Sequence, residues 1–165
     1  MPGINSKQCI KLLIVDDDPE IITLYKDILK DSNFTFATAT CAKETFTKLD
    51  KGNFDLMLLD LKLPDMYGMD ILKEVSVNYK DLSVIIITGN PTVESMIEAI
   101  RSGAYDYIIK PFHMDDFIIS IQRAVEKIIL IKENQRLIEE LDQRDKLLEK
   151  RIKDLEEQIK KLKGK

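Results

Sequence analysis

Four apolar runs in this chain each end in a polar group that could do chemistry. Asp16 and Asp17 follow Leu12-Leu13-Ile14-Val15, and Asp60 follows Leu56-Met57-Leu58-Leu59. Thr88 follows Ile85-Ile86-Ile87, and Lys110 follows Ile108-Ile109. Three carboxylates brought together would repel one another, and the usual remedy is a hard divalent cation. Mg2+ takes oxygen ligands, keeps several waters and is commonly held by one or two carboxylates plus a phosphate oxygen. With every group ionised, Asp16, Asp17, Asp60 and Lys110 sum to −2, which one Mg2+ would neutralise. Such a site is prepared for a phosphoryl group, because the metal and the Lys110 ammonium would both offset charge on its oxygens. A carboxylate can itself be the nucleophile and form an acyl phosphate. Asp60 is the best placed, since it stands alone while Asp16 and Asp17 are paired. A single Asp after a strand is ordinarily a cap, and a Lys-Pro is ordinarily a turn. The conjunction of four such ends carries the reading.

These groups need elements that bring them together. Residues 9–15 form a short apolar run, as expected of a strand buried on both faces. Asp18 can cap a helix and Pro19 suits its first turn, after which Ile21, Ile22, Leu24, Tyr25, Ile28 and Leu29 recur at helical spacing. Further strands are predicted at 34–39, 55–59, 83–87 and 105–109. Helices are predicted at 42–50, at 69–78, from Pro91 to 102 with Gly103 as the stop, and from near Asp115.

Five strand-then-helix units imply parallel pairing, because parallel neighbours need crossover connections. Apolar strands without alternation imply helices on both faces, an α/β doubly wound sheet. Ligands in such sheets bind outside the carboxyl ends of the strands. Parallel strands would therefore gather residues spread from Asp16 to Lys110 onto one rim.

At these residues the chain resembles a response-regulator receiver domain of two-component signalling. The matching pieces are Asp16-Asp17 after the first strand, Asp60 within Leu56-Met57-Leu58-Leu59-Asp60-Leu61-Lys62-Leu63-Pro64-Asp65-Met66-Tyr67-Gly68, Thr88 after Ile85-Ile86-Ile87, and Lys110-Pro111-Phe112 after Tyr105-Asp106-Tyr107-Ile108-Ile109. Their order and separations fit the family over about residues 9–124. The resemblance implies a flavodoxin-like five-stranded sheet in the order 2-1-3-4-5. It implies that Asp60 accepts a phosphoryl group from a sensor histidine kinase or a small acyl phosphate. Asp17, Asp60 and the backbone carbonyl of Lys62 would ligate Mg2+, with Asp16 helping through water. Lys110 would bind a phosphoryl oxygen, and the family has a cis peptide before the residue matching Pro111. Thr88 would move toward the phosphoryl group and Tyr107 would rotate inward behind it, a two-state switch. The bland alternative for Tyr107 is an edge-strand aromatic with no switching role. Lys62 and Asn90 occupy positions that tune dephosphorylation, so the phosphoryl lifetime is not readable. By this reading the protein is a phospho-acceptor rather than an enzyme, with Mg-dependent self-phosphotransfer and slow self-dephosphorylation only.

Other chemistries find less support. Haloacid-dehalogenase-type phosphatases need Asp-x-Asp, and Asp60-Leu61-Lys62 places a lysine there. No Gly-x-Gly-x-x-Gly follows the first strand and no Walker lysine motif occurs, so nucleotide binding is unsupported. His113 is the only histidine, which disfavours a His-based metal site or triad. Cys9 and Cys41 lack metal-type spacing and read as two reduced, partly buried thiols. Neither a membrane span nor a secretory signal is visible, so a cytoplasmic location is expected.

Charge divides the chain in two. Residues 1–123 hold 13 basic and 19 acidic side chains, net −6, which disfavours direct nucleic-acid binding. Residues 124–165 hold 12 basic and 10 acidic, and neither Gly nor Pro lies between Pro111 and Gly164. The expected division is a receiver domain at 1–124 and a helical extension at 125–165, continuous with the last receiver helix. In the extension Ile131, Ile138, Ile152 and Ile159 fall at heptad position a, and Leu141, Leu148, Leu155 and Leu162 at d. Branched a residues with Leu at d favour a parallel two-stranded coiled coil. Arg144 and Arg151 at g precede Glu149 and Glu156 at the following e, giving opposite-charge pairs between helices. Asp145 at a and Asn134 at d cost stability. From Ile131 to Leu162 the helix would span about 48 Å. The run Ile128-Ile129-Leu130-Ile131 faces all round the helix, so part should pack on the receiver and part on a second helix.

The expected partners are thus a sensor histidine kinase and a second copy of the chain, with the output domain or effector unknown. The late lysines Lys160, Lys161, Lys163 and Lys165 are read as a solvated helix end. A scaffold whose phosphorylation is incidental is the competing reading from another class. The stretch Lys163-Gly164-Lys165 carries no effector domain, which suggests either a fragment of a longer regulator or kinase, or output through a protein contact.

Overall fold

The computed structural model describes residues 9–163, and the side chains of 9–161. The d-position side chain of Leu162, the late Lys163 side chain, Gly164, Lys165 and residues 1–8 of the expected receiver lie outside this description. The elements alternate as β1 (Ile10–Val15), α1 (Pro19–Leu29), β2 (Phe34–Ala39), α2 (Ala42–Lys51), β3 (Leu56–Leu59), α3 (Gly68–Asn78), β4 (Ser83–Thr88), α4 (Val93–Arg101), β5 (Asp106–Ile109) and α5 (Met114–Lys163). The five strands form one parallel sheet in the order β2-β1-β3-β4-β5. The flavodoxin-like doubly wound order 2-1-3-4-5 is therefore present. The chain divides into two units, one ending at Ile128 and the other beginning at Ile129.

The middle of the sheet is where continuous apolar runs are needed, and β1, β3 and β4 supply them. Leu12, Leu13, Ile14, Leu56, Met57, Leu59, Ile85 and Ile86 are fully buried, on both faces of the sheet. Each such side chain contributes roughly 1.5–3 kcal/mol by leaving water. Among the described residues no helix is long and apolar enough to cross a membrane.

Caps set the helix starts. Asp18 accepts the Glu20 N–H at 2.8 Å and Pro19 opens α1, as the sequence predicts. α4 begins at Val93 rather than at Pro91. Thr92 and Ser95 form a reciprocal capping box there, so the proline precedes the cap instead of entering the first turn. β3 starts at Leu56 because Asp55 turns its carboxylate to the Lys11 N–H (2.9 Å). β5 starts at Asp106, one residue later than predicted. Gly103 follows α4 at φ 91°, a left-handed backbone suited to glycine, and stops the helix as expected. Cys9 is exposed, not partly buried, because it precedes the strand.

Candidate phosphoryl and cation site

The rim residues lie just past the strand ends, yet the sheet still holds their backbones. The Asp16 N–H donates to Ala39 O (3.1 Å), the Asp60 N–H to Val15 O (2.9 Å) and the Lys110 N–H to Thr88 O (2.8 Å). Parallel pairing thus places groups that follow β1, β3 and β5 on one rim of the sheet.

Lys110 joins two of the carboxylates. Its Nζ donates to Asp16 Oδ2 at 2.6 Å and to Asp60 Oδ2 at 2.8 Å. Asp16 Oδ1 accepts the Asp18 N–H (3.0 Å) and Asp60 Oδ1 accepts the Lys62 N–H (3.0 Å). Asp16 is only 2% exposed, and Asp60 is also buried, whereas Asp17 faces solvent. One carboxylate oxygen from each of Asp16, Asp17 and Asp60 lies within 4.8 Å of the others. Burial pushes the Asp16 carboxyl above its usual range despite its hydrogen bond to Lys110. Burial works against the Lys110 ammonium too, but its bonds to Asp16 and Asp60 outweigh it and hold the pKa above the ordinary lysine value. Lys110 therefore stays charged, and one positive charge faces three negative ones. The uncompensated remainder, the oxygen donors and the open side at Asp17 fit a small hard cation.

The loop after Asp60 is closed on itself. Lys62 and Tyr67 form an isolated antiparallel bridge, and the Gly68 N–H donates to Leu61 O at 2.8 Å. Gly68 packs so tightly that an added Cβ would overlap Asp60 O and lie 2.7 Å from Leu61 Cα. Both are backbone atoms and cannot swing aside. Gly68→Ala should therefore cost about 3 kcal/mol or more and loosen the Asp60 loop, measurable by denaturant unfolding. A change below about 0.5 kcal/mol would contradict this packing.

Thr88 is buried at the end of β4, and its Oγ1 accepts the Asn90 N–H at 3.3 Å. Tyr107 pairs with Ile86 across β4 and β5, while Thr88 pairs with Ile109, so Thr88 and Tyr107 share a face one diagonal apart. The half-buried Tyr107 does not reach the acidic cluster; its hydroxyl bonds Ser95 Oγ at 2.9 Å. The Lys110-Pro111 peptide is cis.

Three residues escape the sequence reading. Asp65, from the loop after Asp60, caps α2 across the fold: Oδ1 accepts the Ala42 N–H (2.8 Å) and Oδ2 the Lys43 N–H (3.0 Å). Those bonds, Lys43 first, hold its carboxyl below the usual range. The only available signal was that Cys41, before α2, is a poor cap and makes no side-chain cap bond. Ser95 serves both the α4 capping box and Tyr107. Tyr25 reads as an ordinary helix-face aromatic, but its ring stacks on Phe112, two residues after Lys110.

Comparison with known proteins agrees with this geometry. The family model of the response regulator receiver domain matches residues 12–122. An NtrX-like response regulator of Rickettsia bellii is 36% identical over 141 residues, 84% of this chain and 30% of that protein. The C4-dicarboxylate transport transcriptional regulatory protein DctD of Pseudomonas aeruginosa is 33% identical over 137 residues, 83% of this chain and 30% of its own length. The chain thus spans about a third of these two relatives. Among solved structures, a CheY-like receiver domain protein from Methanospirillum hungatei is similar with a TM-score of 0.70 at 30% identity, over 73% of this chain and 97% of that one. NtrX from Brucella abortus is similar with a TM-score of 0.69 at 33% identity, over 79% of this chain and 29% of that one.

Proposed function

Because the chain belongs to the response-regulator receiver family, we propose that it is a phospho-accepting module of a two-component system, with Asp60 as acceptor and a sensor histidine kinase as donor. The observation that carries this reading is the Lys110 ammonium bound to both Asp16 and Asp60 beside the exposed Asp17. A carboxylate oxygen of Asp60 attacks phosphorus, the bond from phosphorus to the donor's nitrogen or oxygen breaks, and the donor leaves with that electron pair. An acyl phosphate results, and water later hydrolyses it slowly. Asp17, Asp60 and the Lys62 carbonyl, with Asp16 through water, would hold Mg2+, which supplies charge neutralisation on the phosphoryl oxygens. Lys110 turns from a carboxylate toward one of those oxygens. Thr88 then moves toward the new group, and Tyr107 follows into the space behind it. Nothing in this scheme turns over an external substrate, so the protein is a signalling acceptor and not an enzyme in the ordinary sense.

The extension fits a second copy of the chain. Ile138, Leu141, Leu148, Ile152, Leu155 and Ile159 are 49–65% exposed along α5, a seam interrupted at Asp145 and without a partner among the described residues. A parallel copy would cover that seam and pair Arg144 and Arg151 with Glu149 and Glu156. Phosphorylation would then act on the geometry of the pair. Incubation with Mg2+ and acetyl phosphate should add one phosphoryl group to the intact mass. An unchanged mass would sink the phospho-acceptor reading.

A further inference from the structure

The start of α2 is capped from outside the helix. The first N–H groups of a helix have no partner within it, and the side chain just before the first turn usually takes one of them. Cys41 stands at that position and makes no side-chain cap bond. Asp65 takes over from far along the chain, its Oδ1 accepting the Ala42 N–H at 2.8 Å and its Oδ2 the Lys43 N–H at 3.0 Å. The positive end of the helix favours a carboxylate there. A local cap would serve α2 equally well. What the distant one adds is a tie between α2 and the loop after Asp60.

That tie reaches the acidic rim from two sides. The strap from Ala39 to Lys43 leads from β2 into α2. At its first residue Ala39 O accepts the Asp16 N–H (3.1 Å), which joins it to the end of β1 and the acidic pair. In its middle the Thr40 N–H donates to Glu44 Oε2 (2.9 Å), and at its last two residues it holds Asp65. The loop on the other side leaves β3 at Asp60, whose N–H is bonded to Val15 O. The Lys62–Tyr67 bridge closes the base of that loop, and Asp65 lies in the tip between them. Its two bonds fasten the tip to the strap, and the strap is fastened to the strand end that supplies Asp16 and Asp17.

Resting on the cation-assisted phosphoryl-transfer reading, we propose that Asp65 is a positioning residue for the cation: by clamping the loop tip to the start of α2, it holds the backbone at Lys62 in a fixed place relative to the acidic pair. Mg2+ accepts little departure from octahedral geometry and gives up water reluctantly, so a loosely held carbonyl is a poor ligand for it. A ligand held in place beforehand also costs less ordering when the ion arrives. Asp65 itself touches neither the cation nor the phosphoryl group in this scheme.

Asp65→Ala in the full chain tests the clamp. Its Mg2+ dissociation constant, read from the Asp17 and Lys62 amide shifts on titration with Mg2+ alone, should rise about tenfold, the lower end of what losing a supporting hydrogen bond costs a metal site. The Mg2+ concentration for half-maximal phosphorylation by acetyl phosphate should rise by the same factor. This variant also uncaps α2 and should melt below the wild type. Adding Cys41→Ser gives α2 a cap of its own, so the double variant should recover the melting temperature and keep the weakened Mg2+ binding. Unchanged Mg2+ binding in Asp65→Ala would overturn the inference and leave phosphoryl transfer at Asp60 standing. Mg2+ binding that recovers in the double variant would also overturn it, as the mark of a cap that only stabilises α2. Weakened binding with a melting temperature that Cys41→Ser does not recover overturns it too, since loss of the α2 start then accounts for both. A wild type that binds no Mg2+ overturns the clamp, whereas one that binds Mg2+ but takes no phosphoryl group sinks the phospho-acceptor reading alone.

Discussion

Asp60→Asn should take up no phosphoryl group from acetyl phosphate under conditions that modify the wild type fully. The substitution keeps the size of the side chain but leaves one oxygen for two donors that engage separate oxygens of Asp60, the Lys62 N–H at Oδ1 and the Lys110 ammonium at Oδ2. What it removes is the anionic nucleophile, and an amide oxygen does not form a stable acyl phosphate. The fold should survive. Asp60 pushes against the ionisation of Asp16, so its neutralisation relieves part of the rim repulsion while one ion-pair partner of Lys110 is lost. These effects oppose each other, and the net change in stability should stay within about 1 kcal/mol. Intact-mass spectrometry beside a thermal melt separates the outcomes. Modification of the Asp60→Asn chain at the wild-type level would mean that another group is the acceptor.

The second large effect concerns the extension. Ile152→Lys places an ammonium at the centre of the proposed seam in both copies, with no carboxylate at the facing a position. Removing the apolar contact and burying two unpaired charges should raise the dimer dissociation constant by at least about a thousandfold. Asp145→Ile should act in the opposite sense, because it replaces a like-charge pair at an a position with a branched apolar one. Sedimentation equilibrium of the three chains checks both directions at once. If all three are monomers with the same circular dichroism, the seam is solvated and the dimer reading fails.

Much of the site was legible because its signals are local in sequence. An apolar run that stops at a carboxylate, hydroxyl or ammonium announces a strand end, and parallel topology does the rest. Asp16, Asp60 and Lys110 meet as that reasoning requires. The start of α4 was misplaced because Pro91 and Thr92 both signal a helix start, and the reciprocal bond with Ser95 decides in favour of Thr92. Asp65, Ser95 and Tyr25 were illegible for a different reason. Each makes its defining contact with an element distant in the chain: α2, β5 and the segment after β5 respectively. Local pattern carries no information about such pairs. The burial of Tyr25 was foreseeable from helical spacing, but its stack on Phe112 was not.

The three backbone bonds that tie Asp16, Asp60 and Lys110 to neighbouring strands also decide how the rim breathes. A functional loop usually opens at little cost, independently of the domain that carries it. Here the chemistry-bearing residues are the last rungs of three ladders, β1–β2, β1–β3 and β4–β5, so disengaging their backbones means unzipping the sheet from that end. Their amides should exchange with solvent on the slow timescale of the core rather than that of the surface. Repulsion among the carboxylates is in that sense a load on the whole domain, and neutralising it would tighten strands far from the rim.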